Sequence, residues 1–349
     1  MLLPEDDFPI HQTPLPLAHA MGGHPNAYDR FWFNGVGEDL YFALALGIYP
    51  NRGVIDAAFC VLENGTQRSV FASDLLRGRE TSVGPISVEI IEPLRVNRIR
   101  VHAPDQGLEC ELTYAQRTAT IEEPRQTMFD GARTFMDVTR ATQLGTWEGW
   151  IDTPNGRRDI SGMMGTKDRS WGVRPVGEAL PGAPGSRLPQ LCFFWTPIML
   201  EDHAIHVMNF NDSEGLALHH SAGILPLEDE ATHTEGELLF DWQQGTRWMS
   251  RGQLITRNAE YSLTPIARFH MRGAGYSHPV YGHGKYHGGA VVDGEELLVN
   301  DLDPLDYHNI HVQHVVKVEG PQSGIGVVEQ LIIGPYEPAG LTGLLDGAS

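Results

Sequence analysis

A short polar segment, residues 167–174, brings together three groups that could do chemistry: Asp168, Trp171 and Arg174. A carboxyl beside an apolar ring is desolvated, so its pKa rises and it can hold a proton for a substrate. The face of a Trp ring can also stabilise a cation that forms nearby. The structural alternative is that Asp168 and Arg174 form an ion pair while Trp171 closes one end of a domain.

Residues 273–287 form a segment rich in glycine, here called the histidine-rich loop, which carries three tyrosines and three histidines. Histidine titrates near neutral pH and a tyrosine hydroxyl can polarise an oxygen atom, so Tyr276, His278 and His283 are candidate catalytic residues. The three histidines, which include His287, could instead bind a metal ion. Their spacings of five and four match no zinc motif, and the glycines disfavour a helix. A structural loop that closes the mouth of a domain is the remaining alternative.

Two further groups of candidates lie near the C-terminus. Glu329 stands among apolar residues, so it is paired, protonated or on the solvent face of an edge strand. His308, His311 and His314 recur every three residues before a valine-rich run that predicts a strand. Because alternate side chains of a strand point to opposite faces, His311 and His314 cannot share a metal ion. We interpret these histidines as packing or interface residues.

The elements that must position these residues are mostly strands. The chain contains 39 glycines and 23 prolines, and short β-rich segments between them are typical of sandwiches and barrels. The dipeptides Asn64-Gly65, Asn155-Gly156 and Asp293-Gly294 predict hairpin turns. A short helix is predicted at residues 132–144. The predicted strand segments are residues 39–48, 53–62, 83–91, 108–121, 190–200 and 311–318.

Length and composition predict two domains. A chain of 349 residues is too long for one ordinary core, and its 41% of hydrophobic residues can build two. We expect an N-terminal arm at residues 1–25, domains at residues 26–175 and 190–349, and a linker rich in Gly and Pro at residues 176–189. The open sheet edges of two such domains are compatible with a homodimer.

Charge, hydrophobic segments and cysteine content limit the classes of partner, the location and the thiol chemistry that the sequence predicts. The net charge of −20 disfavours nucleic acid and anionic membranes. No segment approaches the roughly 20 apolar residues that span a bilayer, and the acidic N-terminus is unlike a secretory signal. We therefore expect a cytoplasmic protein with no integral membrane segment. Cys60, Cys110 and Cys192 lie far apart in apolar segments, which predicts buried thiols. The motifs of serine hydrolases, P-loop proteins and dinucleotide-binding proteins are absent from the sequence.

Two motifs resemble a known family. Residues 29–35 (DRFWFNG) and 168–172 (DRSWG) resemble the tandem-lipocalin superfamily that includes carotenoid 1,2-hydratase, AttH-like proteins and, more distantly, tocopherol cyclase. Residues 275–279 and 326–331 are similar to uncharacterised bacterial members, and the resemblance extends over residues 26–336. It implies an all-β fold of two tandem lipocalin-like β-barrel domains, packed together around an apolar ligand.

The resemblance also implies a chemistry. Characterised members protonate an alkene without a cofactor, and water or an internal nucleophile then captures the cation. Asp168 would be the proton donor and Trp171 a wall of the cavity. The hydratase pattern is Asp-His-x-Trp-Gly, and Arg169 replaces the His here. We expect Arg169 to place a fixed cation that disfavours a carbocation and suits an anionic or carbonyl-bearing substrate.

The sequence therefore predicts a cofactor-independent hydratase, cyclase or isomerase that acts on a small isoprenoid, steroid-like or aromatic natural product. One alternative is a non-catalytic lipocalin-like carrier of a hydrophobic ligand. Another is a metal-dependent enzyme that uses the histidine-rich loop. We expect no cofactor and no bound metal. The predicted catalytic residues are Asp168, Tyr276, His278 and His283, and the predicted substrate-binding residues are Trp32, Trp171, Arg174, Tyr281 and Glu329.

Overall fold

The structure is a computed structural model that describes residues 2–10, 16–130, 133–176, 190–227 and 229–349, without the side chains of residues 130 and 133. Apart from Val176, the predicted linker lies outside the described residues. Among the described residues, the structure contains no helix whose length and hydrophobicity would let it span a lipid bilayer.

Thirteen strands lie in the N-terminal half of the described chain. They are β1 (Ala27–Val36), β2 (Leu40–Tyr49), β3 (Val54–Glu63), β4 (Thr66–Leu75), β5 (Ser82–Val83), β6 (Ile86–Glu92), β7 (Val96–Ala103), β8 (Leu108–Gln116), β9 (Ile121–Glu122), β10 (Gln126–Asp130), β11 (Arg133–Thr153), β12 (Gly156–Asp159) and β13 (Met163–Val173).

Ten strands follow in the C-terminal half of the described chain, and the helices are short 3-10 turns. The strands are β14 (Leu191–Met199), β15 (His203–Asn211), β16 (Ala217–Pro226), β17 (Thr232–His233), β18 (Gly236–Trp242), β19 (Met249–Thr256), β20 (Glu260–His270), β21 (Val291–Leu298), β22 (Val312–Glu319) and β23 (Gly324–Ile333). The 3-10 turns are Pro4–Asp7, Leu17–Gly23, Pro104–Gln106, Met271–Ala274 and Glu337–Ala339.

The described strands pair antiparallel into two curled sheets, which confirms the all-β prediction. The first sheet has 14 strands, in the order β21-β4-β3-β2-β1-β13-β11-β8-β7-β6-β5, with β9, β10 and β12 paired to β11. The second has nine, in the order β17-β16-β15-β14-β23-β22-β20-β19-β18. β21 follows β20 in the chain but pairs with β4 of the first sheet. The histidine-rich loop between β20 and β21 therefore connects the two sheets.

Side chains alternate along β1 between two cores. Phe31 and Phe33 belong to the core inside the first domain, whereas Trp32 belongs to a second apolar cluster between the sheets. The cluster between the sheets receives residues from both of them, including Trp195 and Phe269 of the second sheet. Strands that are buried on both faces explain why several segments read as nearly continuous hydrophobic runs.

A buried ionic cluster occupies the interior of the first domain beside its aromatic core. Asp7, from the N-terminal arm, is 0% exposed, and its Oδ1 lies 2.7 Å from Lys167 Nζ. The Arg169 guanidinium bonds Asp29 at 2.7 Å, and the backbone N–H of Ile10 donates to the same carboxylate at 2.6 Å. These contacts attach the segment around residues 7–10 of the arm to β1 and β13.

Four local predictions can be compared directly with the structure. The turns at Asn64-Gly65 and Asn155-Gly156 are confirmed, and Asn64 and Gly65 both have the positive φ that such a turn requires. The Asp293-Gly294 turn is wrong, because both residues lie inside β21, whose partner is β4 rather than an adjacent strand. The helix at residues 132–144 is also wrong. Its β-branched and aromatic residues instead form the first half of β11.

The prediction of buried thiols is confirmed. Cys60, Cys110 and Cys192 are all free and buried. Burial raises the pKa of the Cys60 thiol to about 12, so this group stays protonated at physiological pH. Each cysteine therefore contributes to packing as a small apolar side chain.

Candidate functional site

The two faces of β13 lie in different environments, one inside the first domain and the other toward the second sheet. Lys167 and Arg169 point into the first domain, where the Arg169 guanidinium lies 4.0 Å above the Phe31 ring. Asp168 points the other way, toward the second sheet, because successive side chains of a strand alternate. The expectation that Arg169 places a fixed cation beside Asp168 is therefore wrong. Asp29 and Asp7 neutralise its charge on the far face.

Strand register sets the surroundings of Asp168. Trp32 on β1 and Thr142 on β11 lie directly opposite it on its two neighbouring strands, where side chains of one face contact each other. The Thr142 hydroxyl donates to Asp168 Oδ2 at 3.2 Å. Burial raises the pKa of Asp168 to about 6, although the positive charge of Arg140 and the hydrogen bond from Thr142 oppose this rise.

The indole beside Asp168 thus belongs to Trp32 rather than to Trp171. Trp171 lies opposite Asp29 in the register and is 8% exposed. Its position three residues from Asp168 puts its side chain on the Arg169 face of β13. Trp32 is 3% exposed and packs between the sheets.

Two residues of the histidine-rich loop enter the space in front of Asp168. The Tyr276 ring lies edge-on to Trp32, with centroids 6.1 Å apart, and edge-on to His283 at 4.6 Å. His283 Nε2 lies 2.7 Å from the carbonyl oxygen of Ala274, to which it donates. Burial, followed by the nearby charge of Arg30, lowers the pKa of His283 well below its usual value. His283 is therefore neutral at physiological pH.

Two other residues of this loop face β4 and β21. His278 Nδ1 accepts the backbone N–H groups of Val280 and Tyr281 at 3.0 and 2.8 Å, and its ring packs on Phe71. The Tyr281 ring stacks on Phe71 and its hydroxyl donates to Asp293. These contacts anchor the loop to the first sheet. Across the described residues, no three His, Cys, Asp or Glu side chains meet in an arrangement that could hold a metal ion.

Two arginines place positive charge beside Tyr276. The Arg30 guanidinium lies 4.3 Å from the centre of the Tyr276 ring, and its NH2 is 3.2 Å from His283 Nε2. The Arg174 guanidinium lies 4.6 Å from the Tyr28 ring and 5.7 Å from that of Tyr276. The fixed cations beside Tyr276 are therefore Arg30 and Arg174, whereas Arg140 and Arg30 are the cations that act on Asp168.

Glu329 carries a second carboxyl to the same interface. It lies opposite Trp195 and Gln313 in the second sheet and is 6% exposed. Its Oε1 lies 2.7 Å from His311 Nε2, and its Oε2 accepts a hydrogen bond from Gln313 Nε2 at 2.6 Å. The Tyr41 hydroxyl of the first sheet donates to the same Gln313. Of the alternatives for Glu329, the structure shows the paired one.

His311 links Glu329 to the loop, whereas His314 belongs to another layer. The His311 ring lies edge-on to Tyr276, with centroids 4.9 Å apart. His314 is 1% exposed on the opposite face of β22, where burial lowers its pKa to about 3. Tyr276 thus contacts the surroundings of both carboxyls, Trp32 beside Asp168 and His311 beside Glu329.

These groups lie at the interface between the two sheets, and those that keep accessible surface mark a crevice there. Asp168, Tyr276 and His283 keep some accessible surface although the packed sheets surround them. A separate cavity of about 10 Å³ lies under the histidine-rich loop, against Asp56 and Phe71, and has room for about one water molecule. The interior of the first domain is filled by its aromatic core and by the ionic cluster of Asp7. The partly accessible groups between the sheets, rather than the interior of the first domain, are therefore the candidate ligand site.

The buried carboxyl of Glu123 lies on the other side of Thr142 from Asp168. It is 2% exposed, and its Oε1 lies 3.4 Å from Thr142 Oγ1 and 3.3 Å from His206 Nε2. Burial raises the pKa of Glu123 to about 8, and the positive charge of Arg140 opposes this rise. Burial also lowers the pKa of His206 to about 3, so His206 is neutral.

The raised pKa of Glu123 predicts a pH-dependent effect of Glu123→Gln on stability. Between pH about 4.5 and about 8 the folded state keeps a proton that the unfolded state loses, so this carboxyl destabilises the fold progressively as pH rises. We expect the difference in melting temperature, variant minus wild type, to become more positive between pH 5 and pH 8. Glu148→Gln, on an exposed position of β11, is the control. An equal difference at both pH values would contradict the burial of an ionisable Glu123.

Sequence reasoning missed Arg30, Glu123, Thr142 and the pairing of His311 with Glu329. Arg30 is part of the DRFWFNG motif, and strand alternation alone would have put it on the same face as Trp32. Thr142 lies within the predicted helix at residues 132–144, and a helix has no strand register with Asp168. Glu123 has no signal in the sequence, because only the fold brings it to Thr142.

No curated protein matches the sequence. An AttH-like protein from Nitrosomonas europaea superposes with a TM-score of 0.58 at 12% identity, over 87% of this chain and 92% of that one. Kievitone hydratase from Nectria haematococca superposes with a TM-score of 0.52 at 10% identity, over 88% and 89%. At these identities the similarity shows the fold alone, two packed lipocalin-like β domains.

A family model identifies the sequence group. It matches residues 2–342, nearly the whole chain, and describes a family of unknown function, DUF8625. The match spans both sheets and every candidate residue named above. The chain therefore belongs to the family of unknown function DUF8625.

Proposed function

We propose that this protein is a cofactor-independent acid/base enzyme, a hydratase of a small hydrophobic molecule held in the crevice between the two sheets. The observation that carries the proposal is the environment of Asp168. The residue keeps some accessible surface, its carboxyl has a raised pKa and can hold a proton, and Trp32 and Tyr276 are its aromatic neighbours. A perturbed carboxyl in an aromatic crevice is a candidate acid.

The three parts of a hydration can be assigned to named groups. Asp168 donates a proton to an alkene carbon. The face of Trp32 stabilises the cation that results, because Arg30 already lies over the Tyr276 ring. Glu329, held in place by His311 and Gln313, takes a proton from the water that adds to the cation and releases it to solvent after the product leaves. The two carboxyls differ in surroundings, which is how one site can contain both an acid and a base.

The positions of Arg30 and Arg174 narrow the substrate class. Fixed cations beside Tyr276 disfavour a bare carbocation and favour a substrate with a carbonyl or acidic oxygen at that end. An isoprenoid, steroid-like or aromatic natural product with such an oxygen fits this requirement. The similarity in fold to kievitone hydratase supports the hydratase assignment, and the DRSWG motif supports Asp168 as the donor.

Incubation in D₂O with a panel of alkenes tests this proposal. We expect at least one isoprenoid, steroid-like or aromatic alkene bearing a carbonyl to gain one molecule of water and one carbon-bound deuterium, because Asp168 exchanges its proton with solvent before donating it. Mass spectrometry and deuterium NMR measure both changes. If the protein binds members of the panel and converts none of them, the hydratase proposal fails and the lipocalin-like carrier replaces it.

A further inference from the structure

The hydroxyl of Thr142 lies between the carboxyls of Asp168 and Glu123. Its Oγ1 is 3.2 Å from Asp168 Oδ2 and 3.4 Å from Glu123 Oε1. Thr142 itself is 0% exposed, so bulk water does not compete for these contacts. A hydroxyl has one proton to donate. It can therefore donate to one carboxylate only, and the second carboxyl must be protonated and donate to Thr142 Oγ1.

Burial and charge decide which carboxyl holds the shared proton. The pKa of Asp168 is raised to about 6 and that of Glu123 to about 8, in both cases chiefly by burial. The charge of Asp168 contributes to the rise at Glu123, so the two sites are coupled. Between these values Glu123 is the protonated member. Glu123 then donates to Thr142, and Thr142 donates to Asp168.

Glu123, at one end of this series of hydrogen bonds, is also a lining residue of a surface cleft. A cleft of about 420 Å³ is lined by residues that include Glu122, Glu123, Arg125 and His233. Glu123 Oε2 has no hydrogen-bond partner among the described residues, and its side chain is nearly fully buried at the base of the cleft. Asp168 faces the crevice between the sheets. Thr142 and the buried carboxyl of Glu123 thus lie between the cleft and the crevice, with Glu123 Oε2 closed off from solvent in the structure.

We propose that Glu123 and Thr142 form a proton relay that refills Asp168 from the cleft. This inference rests on the proposed function of Asp168. In each turnover the O–H bond of Glu123 breaks as Thr142 gains a proton, and the former Thr142 proton passes to Asp168. The net change is one proton moved from Glu123 to Asp168, and water in the cleft returns a proton to Glu123. Neither step needs an oxidant or a metal ion.

Other charged groups surround the relay and affect both carboxyls. Arg140 on β11 lies 4.0 Å from Glu123 Oε2 and favours ionisation of both acids. His206 on β15 faces Glu123 and is neutral. Arg30 on β1 and Glu329 on β23 act on Asp168 with opposite signs. None of these groups is changed in the variants below, so their effects cancel in the comparison with the wild type.

Carbon-13 NMR of carboxyl-labelled protein tests the shared proton without any substrate. We expect Glu123 to titrate near pH 8 and its midpoint to fall by about one unit in Asp168→Asn, because the repelling charge is removed. The Glu123 signal is assigned by its loss in Glu123→Gln. Titration of Glu123 near its ordinary pKa, or an unchanged midpoint in Asp168→Asn, would overturn the relay whether or not the protein is an enzyme.

The pH profile of turnover tests the relay itself, on an alkene that the D₂O experiment identifies. We expect Thr142→Val and Glu123→Gln to shift the alkaline limb of kcat down by about one pH unit and to lower kcat at pH 8 by roughly tenfold. Thr142→Ser keeps the hydroxyl and should retain the wild-type profile. A Thr142→Val profile identical to the wild type would overturn the relay while leaving Asp168 as the acid.

Discussion

Replacing Asp168 with Asn is expected to lower kcat by about 10²- to 10⁴-fold, the range that a general acid contributes. The amide has nearly the same shape and can still contact Thr142, so the aromatic surroundings of Trp32 and Tyr276 are preserved. Ligand affinity should change little, because the lost interaction is made in the transition state. Steady-state kinetics and direct binding measurements separate the two effects.

The control for this variant is Asp105→Asn, at an exposed position in the turn before β8. It changes the net charge of the chain by the same amount and lies outside the candidate site. We expect it to have wild-type kinetics. A substantially active Asp168→Asn enzyme would mean that another group supplies the proton, and Tyr276 would then be the next candidate.

The second large effect is expected on stability, from Asp7→Asn. Asp7 and Lys167 are 0% and 1% exposed, and their charged groups are 2.7 Å apart. Removing one partner leaves the ammonium of Lys167 buried without its counter-charge, which costs about 3–5 kcal/mol in comparable pairs. Urea unfolding should therefore show a much lower midpoint. The backbone N–H of Leu94 also donates to Asp7, so the variant weakens this contact too.

Two further variants isolate the buried charge as the cause. Glu5→Gln, at an exposed position of the same 3-10 turn, should leave stability unchanged within about 0.5 kcal/mol. Lys167→Met in the Asp7→Asn background removes the unpaired ammonium and should recover part of the loss. If Asp7→Asn is as stable as Glu5→Gln, the arm does not contribute to the core of the first domain.

Periodic hydrophobic patterns predicted the strands well. Single local signals, such as one turn dipeptide or one short segment, were less reliable. Asn64-Gly65 turns as expected because the two strands beside it pair with each other. Asp293-Gly294 has the same local signal, but β21 pairs with β4 more than 200 residues away in sequence. No short-range pattern records such a pairing. The helix prediction at residues 132–144 failed for another reason, because the first part of β11 pairs with the adjacent β10 as well as with β13 and the local hairpin was not recognised.

The candidate site was predictable in its residue types and only partly in its geometry. The DRSWG motif identified Asp168, and its partners depend on register. Trp171 is three residues away in sequence and belongs to the other face, whereas Trp32 is far away in sequence and lies directly opposite. Arg169 was given an electrostatic role at the site although Asp29 neutralises it inside the first domain. The alternation of side chains along β13 would have placed Arg169 and Trp171 on the face opposite Asp168.

The most direct measurement compares small molecules extracted from wild-type protein and from Asp168→Asn, each purified from the same cells and analysed by mass spectrometry. The inactive variant should retain an unsaturated compound of the substrate class. Added wild-type protein in D₂O should convert that compound to one that is heavier by one heavy-water molecule, with a deuterium on carbon. If both proteins release the same compound and the wild type leaves it unchanged, Asp168 is not a catalytic acid and the protein is a carrier.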